Sequence, residues 1–328
     1  MRTFQHINAY TIEEACFLLG KNRGRAVLNA GGTDLLGILK DEILPKYPKM
    51  VINIKTIPGL DSITQNNSGV TIGALTRLSN IVNSPLIKER FPVLAEAART
   101  VATPQIRNVA TIGGNLCQDV RCWYYRYPRH IGGPIQCLRK GNGPCLAIRG
   151  DNRYHAIMGG KRCFAVCPSD TAVALAALDA SIHVSGPEGD RIIAVTDFFS
   201  PIANALKGNE IVTSIEIPSL SHTTSQRFIK FTLRKPVDFA IVSVASIVAI
   251  EKGACIDARI ALGGIGPGPV RAQIAEEMVK GKAINEKNVA AAAKSALSNA
   301  RPLSKNGYKI EITKTLIKRA LLGDAECQ

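Results

Sequence analysis

The sequence predicts an α+β protein built from more than one subdomain. Short apolar runs of strand length alternate with helix-like segments in the N-terminal part, strands dominate after Gln226, and alanine-rich helical segments follow them. The chain has 328 residues, of which 46% are hydrophobic, so a substantial core can form. This length favours two or three subdomains over one small domain.

Capping residues mark two helix starts. Thr11, followed by Glu14, has the spacing of a capping box, and Ser169 or Asp170 precedes an alanine-rich helix predicted from Thr171 to Ala180. The other elements predicted in this part are strands at Arg25–Leu28, Met50–Ile54 and Val70–Ala74 and a helix from Ile87 to Val101.

The last hundred residues are predicted as a layer of strands and helices. The strands are Phe228–Lys230, Ala240–Ala249 and Ala258–Leu262, and the helices lie at about 270–281, 286–299 and 309–322. The longest apolar run, Phe239–Ile250, has 12 residues, which is too short to cross a membrane and is typical of a buried strand. The N-terminus lacks a signal-peptide pattern, so we expect a cytoplasmic protein without a membrane partner.

The chain is strongly basic, with 41 Lys and Arg against 26 Asp and Glu and a formal charge of +15. The excess is spread along the sequence and no nucleic-acid recognition module is visible, so we expect no nucleic-acid partner. An acidic protein partner or an anionic cofactor fits this charge better.

Two glycine-containing turns could hold a phosphate group. Gly31-Gly32-Thr33 lies between a predicted strand and a helix-like segment, and Thr111–Asn115 contains a second glycine pair. Glycine lets the backbone approach an anion and present its N–H groups, so each turn is a candidate nest. Neither has Rossmann or P-loop spacing, and on local evidence alone an ordinary tight turn is the more frequent explanation of each.

Taken together, the two turns carry a family resemblance. Ala30–Leu35 and Arg107–Asn115 resemble the FAD-pyrophosphate loops of molybdenum hydroxylase flavoproteins, which include the medium subunit of carbon monoxide dehydrogenase and the flavin domain of xanthine dehydrogenase. Pro168–Thr171 and Lys230–Arg234 fall where that family's flavin-contacting segments would, and the resemblance spans about residues 3–325.

The resemblance implies a domain plan. A two-subdomain FAD-binding unit of the PCMH type would cover residues 1–223, divided at about 57 and 58, and a sheet-and-helix domain of the carbon monoxide dehydrogenase flavoprotein type would cover 224–328. No catalytic residue is expected on this chain.

The resemblance also implies contacts to FAD. The residues that would wrap the pyrophosphate are Asn29, Ala30, Gly31, Gly32, Thr33 and Asp34, completed by Thr111, Gly114 and Asn115. Asp170 would contact ribityl or ribose hydroxyls, and Val212 would lie against the adenine or the isoalloxazine. Lys230 would sit near the flavin ring, where a cation stabilises anionic reduced flavin; the alternative for it is a solvated strand lysine.

Six of the nine cysteines fall within 51 residues, from Cys117 to Cys167. In a long cytoplasmic chain such clustering favours metal ligation over disulfides. Cys16, Cys255 and Cys327 lie outside this segment and are interpreted as ordinary small apolar or surface residues.

The cysteine-rich insert, residues 117–167, resembles that of the β subunit of 4-hydroxybenzoyl-CoA reductase, in which an equivalent insert ligates a [4Fe-4S] cluster. The implied ligands are Cys122, Cys137, Cys145 and Cys163. Four thiolates from a long loop suit an iron–sulfur cube, whereas zinc ribbons use C-x-x-C pairs that this insert lacks.

Alternatives within the insert remain open. The Cys163-x-x-x-Cys167-Pro168 spacing is similar to the end of a ferredoxin motif and allows Cys167 as the fourth ligand, although the resemblance to the reductase favours Cys163. Cys117 is expected to pack beside the flavin loop. His130 and His155 are possible ligands that four cysteines make unnecessary.

The expected function is electron transfer through FAD and the insert's cluster. The resemblance implies a large molybdopterin subunit and a small [2Fe-2S] subunit as partners, reductive dehydroxylation of an aromatic CoA thioester, and electrons from ferredoxin. The alternatives are a xanthine-, aldehyde- or carbon monoxide-type hydroxylase that passes electrons to NAD or another acceptor, and a binding protein whose loop is held by zinc.

Overall fold

The N-terminal layer of the protein is a three-stranded parallel sheet. The structure is a computed structural model, which describes residues 1–133, 135–141, 143–220, 222–235 and 237–323. The strands of this sheet are β1 (Gln5–Asn8), β2 (Ala26–Asn29) and β3 (Met50–Asn53), in the order β1-β3-β2. Helix α1 (Ile12–Lys21) packs on this sheet and α2 (Leu35–Lys40) follows the glycine turn after β2. Cys327, which was interpreted as an ordinary small apolar or surface residue, lies outside the described residues.

The predicted capping box of α1 is confirmed. Thr11 Oγ1 accepts a hydrogen bond from the Glu14 backbone N–H at 3.1 Å. The Glu14 carboxylate accepts from the Tyr10 N–H at 2.8 Å, one residue earlier than in the standard capping box. Both ends of the motif therefore satisfy otherwise unpaired N–H groups at the start of the helix.

A five-stranded antiparallel sheet with helices on it makes up the second layer. The strands are β4 (Ile63–Gln65), β5 (Gly69–Gly73), β6 (Ser181–Ser185), β7 (Arg191–Ala194) and β8 (Ile211–Pro218), in the order β4-β5-β8-β6-β7. The helices are α3 (Leu78–Asn83), α4 (Pro85–Arg90), α5 (Pro92–Arg99), α6 (Pro104–Arg107), α7 (Ile112–Cys117), α8 (Arg129–Gly132), α9 (Asp170–Ala177) and α10 (Val195–Phe198).

The helix predicted from Ile87 to Val101 is in fact two helices. Pro92 has no N–H to donate, and Phe91 before it leaves the helical region with φ −134° and ψ 56°. The chain therefore ends α4 at Arg90 and begins α5 at Pro92.

Helix α9 is the centre of the molecule, since all eight of its residues are buried. Ser169 caps it by accepting a hydrogen bond from Ala172 N–H at 3.1 Å, as predicted. It ends three residues before the predicted end at Ala180, where Asp179 has a positive φ of 51°.

A four-stranded antiparallel sheet and three helices form the C-terminal layer. The strands are β9 (Ser225–Phe231), β10 (Val242–Glu251), β11 (Ala254–Gly263) and β12 (Val270–Arg271), in the order β12-β11-β10-β9, and the helices are α11 (Gln273–Val279), α12 (Glu286–Ser295) and α13 (Lys309–Leu322). The helix predicted from about 270 begins later because Val270 and Arg271 pair with β11.

Strand β10 is covered on both faces, which explains the long apolar run in the sequence. Ala245 and Ile247 belong to the core around α9, whereas Val244 and Val248 belong to the core of the C-terminal helices. None of the helices in the described ranges is long and apolar enough to span a membrane.

The cysteine-rich insert runs between α7 and α9 and is anchored to the C-terminal layer. Asn306 Nδ2 donates to His155 O at 3.1 Å, and Lys309 Nζ donates to Gly264 O at 2.7 Å and to Tyr154 O at 3.1 Å. Lys309 is fully buried, and this burial lowers its pKa to about 7. The insert is therefore part of the packed structure.

A buried ion pair links α9 to the C-terminal sheet. Lys230 Nζ on β9 lies 2.7 Å from Asp170 Oδ2, and the side chains are only 6% and 4% exposed. The amine also donates to Thr100 O at 2.9 Å. Burial raises the pKa of the Asp170 carboxyl above its usual value, and Lys230 opposes this rise. Neither charge can be removed alone without leaving the other unpaired in the interior.

We expect Lys230→Met to lower the free energy of unfolding by about 3 kcal/mol, because Asp170 would remain as an unpaired buried charge. The double variant Lys230→Met with Asp170→Asn should recover part of this loss. Urea unfolding followed by circular dichroism measures both, and Lys235→Met, at an exposed position nearby, is the control. A loss as small as that of the control would contradict the argument.

Candidate functional site

A cavity of about 640 Å³ opens where the two glycine turns meet. Among its lining residues are most of those predicted to contact FAD: Ala30, Gly31, Gly32, Thr33, Asp34, Thr111, Gly114, Asn115 and Val212. Three predicted residues, Asn29, Asp170 and Lys230, do not line it. The volume lies within the range that small-molecule and cofactor sites usually have.

The first glycine turn presents free hydrogen-bond donors. The backbone N–H groups of Gly31 to Leu35 have no acceptor within the described part of the chain, and all five residues line the cavity. Gly32 adopts a positive φ of 70°, which glycine tolerates and other residues rarely adopt. Successive free N–H groups in a turn form a binding site for an anion such as a pyrophosphate.

The second glycine turn differs, because most of its backbone N–H groups already have acceptors within the protein. The N–H groups of Ile112 and Gly113 donate to Thr76 O and Ala74 O, and those of Gly114 and Asn115 donate to Thr111 Oγ1 and Thr111 O. Four of the five backbone donors of Thr111–Asn115 are thus used to build the turn. The sequence could not show this, because the acceptors at 74 and 76 are distant in the chain.

What the second turn can offer a ligand is the Asn115 side chain. Its Oδ1 accepts hydrogen bonds from the Ser169 and Thr171 hydroxyls, each at 2.6 Å. With the oxygen engaged on that side, the amide nitrogen of this cavity-lining residue is left as a donor. Asn115 is therefore fixed by two hydroxyls and keeps its N–H groups for a bound molecule.

The two turns touch each other directly. A Cβ atom added to Gly31 would lie 2.3 Å from Val109 O and 2.9 Å from Ala110 Cα. Only glycine permits this approach, so the second turn sets the position of the first.

The Asp34 carboxylate faces the insert. It accepts from Arg121 Nη1 and Arg126 Nη2, each at 2.9 Å, and from the Asp119 N–H at 2.8 Å. Two guanidinium groups and one amide thus surround it. Asp34 can serve an anion through its backbone, while its side chain joins the turn to the insert.

Asn29, Asp170 and Lys230 stay predictions as FAD contacts. Asn29 Oδ1 is buried and has no hydrogen-bond partner among the described residues. Asp170 and Lys230 bind each other, as described above, so the alternative of a solvated lysine at position 230 is wrong. Their position at the layer interface gives them a structural role whatever the cavity holds.

Three of the four cysteines predicted as ligands pack in one small apolar core. Cys122, Cys137 and Cys163 pack in a cluster with Tyr125 and other side chains, and the Cys163 thiol interacts electrostatically with that of Cys145. Burial raises the pKa of the Cys122 thiol to about 12 and also raises that of Cys163. No three His, Cys, Asp or Glu side chains in the described ranges are grouped as a site for a metal ion.

Cys117 and Cys167 lie elsewhere, lining the cavity of the glycine turns. Burial raises the pKa of the Cys167 thiol to about 12, whereas Cys117 is exposed. The Cys167 N–H donates to Gly266 O at 3.1 Å, which holds this residue against the C-terminal layer.

The core around the cysteines and the cavity share a wall. Ile38 and Val120 belong to both, so a single layer of side chains separates the two. The Tyr125 hydroxyl, from the cysteine side, donates to the Asp119 carboxylate, and Asp119 lines the cavity.

Sequence analysis missed this polar bridge, which also includes Arg139 at 3.2 Å from Asp119. It also missed the contact of His155 Nε2 with Cys122 Sγ at 3.2 Å. The excess of arginine over acid in the insert was the available signal for the bridge. No sequence feature distinguishes His155 from His130, which is exposed.

Two family models together match nearly the whole chain. Residues 2–220 match the family described as the FAD binding domain in molybdopterin dehydrogenase, and residues 227–323 match the carbon monoxide dehydrogenase flavoprotein C-terminal domain. The chain belongs to this flavoprotein family. The predicted fold class is confirmed.

Individual relatives match along the whole chain. The FAD-binding subunit PaoB of an Escherichia coli (strain K12) aldehyde oxidoreductase is 31% identical over 338 residues and covers 100% of both chains. The carbon monoxide dehydrogenase medium chain of Hydrogenophaga pseudoflava is 29% identical, with 97% of this chain and 96% of that one covered. A solved structure of carbon monoxide dehydrogenase from Hydrogenophaga pseudoflava, lacking the Mo-pyranopterin moiety, has a TM-score of 0.79 at 28% identity and covers 100% of this chain and 99% of that one.

These comparisons show an oxidoreductase flavoprotein subunit. The predicted closeness to 4-hydroxybenzoyl-CoA reductase and the [4Fe-4S] cluster stay predictions.

Gly31→Ala should weaken FAD binding. The new Cβ would force the first turn away from Val109 O, at a cost of about 1–3 kcal/mol, or about 5- to 150-fold in affinity. The flavin-to-protein ratio of the purified variant and a titration of the apoprotein with FAD measure this. Gly37→Ala, in α2 with open space around its Cβ, is the control. Equal flavin retention in both variants would contradict the assignment.

Proposed function

We propose that this chain is the FAD- and [4Fe-4S]-carrying electron-transfer subunit of a molybdenum-dependent oxidoreductase complex. The observation that carries the proposal is the shared wall between the FAD cavity and the core that holds Cys122, Cys137 and Cys163. Two redox groups separated by one layer of side chains could exchange electrons directly. The organic substrate would react on a partner subunit.

The residues fit FAD. Five free N–H groups from Gly31 to Leu35 would hold the pyrophosphate, and Asn115 would add side-chain donors. Bound FAD would take up and release electrons one or two at a time. The chain's own contribution is to fix the cofactor in a largely apolar cavity and to exclude water from it.

The thiols fit a multi-iron cluster better than a single ion. In a [4Fe-4S] cube each cysteine binds a different iron, so the four sulfurs lie around a body of several atoms. The four thiols lie near one another without meeting at a point in the described part of the chain: Cys122, Cys137 and Cys163 pack in one small core, and Cys145 lies within electrostatic range of Cys163. Lys140 lies within electrostatic range of Cys122 and Cys137, and Arg139 within range of Cys163, so positive charge is available for an anionic cluster.

Cys163 is the better fourth ligand. It packs in the core with Cys122 and Cys137, whereas Cys167 lines the FAD cavity. The zinc-held loop is correspondingly the weaker alternative, since a single ion needs closely grouped ligands.

The complex would contain a large molybdopterin subunit and a small [2Fe-2S] subunit. Relatives named as the subunit of an aldehyde oxidoreductase and the medium chain of carbon monoxide dehydrogenase favour oxidation of an organic substrate, with electrons leaving through this chain. The second candidate is the 4-hydroxybenzoyl-CoA reductase type, in which electrons run the other way to an aromatic CoA thioester. The insert with its four cysteines is the observation that favours it.

Cysteine variants test the cluster. Anaerobically purified protein should contain one FAD and about four irons, Cys163→Ser should lose the iron, and Cys167→Ser should retain it. Iron and flavin analyses with a visible spectrum give the answer. Stoichiometric zinc without iron, or iron loss only in Cys167→Ser, would reject the ligand set.

Electron exchange with an acidic carrier is expected in either direction. Arg129, Arg149, Lys161 and Arg162 are exposed on the insert, and none of them takes part in a salt bridge with another described residue. Ferredoxins are typically acidic, so ferredoxin should react far faster than NADH, and added salt should slow the reaction.

Stopped-flow measurements on the purified protein test this expectation. Arg162→Glu should slow the ferredoxin reaction, and Lys287→Glu, exposed on α12, should not. Fast reduction by NADH that is insensitive to salt, with ferredoxin inert, would contradict the choice of carrier while leaving the flavin assignment in place.

A further inference from the structure

A buried histidine touches one of the proposed cluster ligands. His155 is 2% exposed, and its Nε2 lies 3.2 Å from Cys122 Sγ. The other ring nitrogen, Nδ1, is buried without a hydrogen-bond partner in the described part of the chain. The sulfur is therefore the one polar atom that this ring contacts.

The ring is held in place from several sides. The His155 N–H donates to Asn152 O at 3.0 Å and its carbonyl accepts from Asn306 Nδ2 at 3.1 Å. The ring packs on Trp123 and Tyr124, with ring centroids 5.7 Å and 5.9 Å away. Contact with Cys122 is thus built into the packing and does not depend on a mobile side chain.

The unpaired Nδ1 indicates which nitrogen carries the proton. If the thiol donated to Nε2, the ring proton would sit on Nδ1 as a buried N–H without an acceptor, and such groups are rare in proteins. A proton on Nε2 instead leaves only a lone pair unpaired and turns the contact into N–H···S. That arrangement requires a sulfur able to accept, which a metal-bound thiolate is.

We propose that His155 is a positioning residue that donates an N–H···S hydrogen bond to the Cys122 thiolate and thereby raises the reduction potential of the cluster. This inference rests on the proposed function, because it needs the cluster. A hydrogen bond to a ligand sulfur stabilises the reduced cluster, which carries one more negative charge, more than the oxidised one. His155 would favour electron uptake by the insert without touching FAD.

The experiment is a redox titration of the anaerobically purified full chain, followed by EPR of the reduced cluster. His155→Phe should keep iron and FAD contents and shift the potential to a lower value. His155→Gln, whose amide can place an N–H near the same position, should restore part of the shift. His130→Phe, the same change at the exposed histidine of the insert, should leave the potential unchanged.

A second measurement needs no variant. Pulsed EPR of the reduced wild-type protein labelled with ¹⁵N-histidine should show a coupling to one ring nitrogen through the N–H···S bond, and His155→Phe should abolish it. A purely structural role of His155 would lower iron content without moving the potential of the clusters that remain.

The outcomes separate this inference from the proposed function. Wild-type protein without iron would overturn both. A full cluster whose potential is the same in His155→Phe overturns only the role of His155. Loss of iron in both His155 variants, with FAD retained, overturns it as well and makes His155 a ligand or a packing residue.

Discussion

The hydrogen bonds accepted by the Asp34 carboxylate are the interactions on which the arrangement of the site depends. It accepts from two arginines of the insert and from the Asp119 N–H, so the first glycine turn and the start of the insert form one unit. Arg121 also lies over the Phe239 ring, with its Cζ 4.2 Å from the centroid, which brings in the C-terminal layer. Much of the insert's positive charge is therefore used inside the protein to hold three parts together.

The two glycine turns have different tasks, although their sequences look alike. Most N–H groups of the second turn donate to acceptors inside the protein, which makes this turn a rigid surface. The first turn lies against that surface with its own N–H groups free. An anion site made in this way is preorganised, because a bound pyrophosphate would not have to displace internal hydrogen bonds. The first turn needs glycine at Gly31 because it lies against Val109 O, and the second needs glycine at Gly113, where an added Cβ would lie 2.8 Å from Ala74 O.

Local sequence patterns predicted the elements well where the cause is local. The caps at Thr11 and Ser169 and the strands β2, β3, β5, β9, β10 and β11 were predicted, whereas β1, β4, β6, β7 and β8 were not. The break before Pro92 was missed, although a proline without an N–H is a local signal for the end of a helix. The short β12 was missed because it forms only by pairing with β11. The Asp34 network and the pairing of Asp170 with Lys230 join positions 60 or more residues apart, and no spacing rule reveals such contacts.

Two opposing effects act on the cysteines of the insert: burial disfavours charged thiolates, and nearby cations favour them. Burial alone raises the thiol pKa values of Cys122 and Cys163, so free thiols in this core would stay protonated at neutral pH. Ligation of iron must remove those protons, and the cost of the resulting negative charge falls on the surroundings. Arg139, Lys140 and the N–H groups near the sulfurs can offset that cost, whereas an apolar core without them could not. The basic composition of the insert thus serves two needs: it holds the first glycine turn through Asp34, and it would make a buried site acceptable to an anionic cluster.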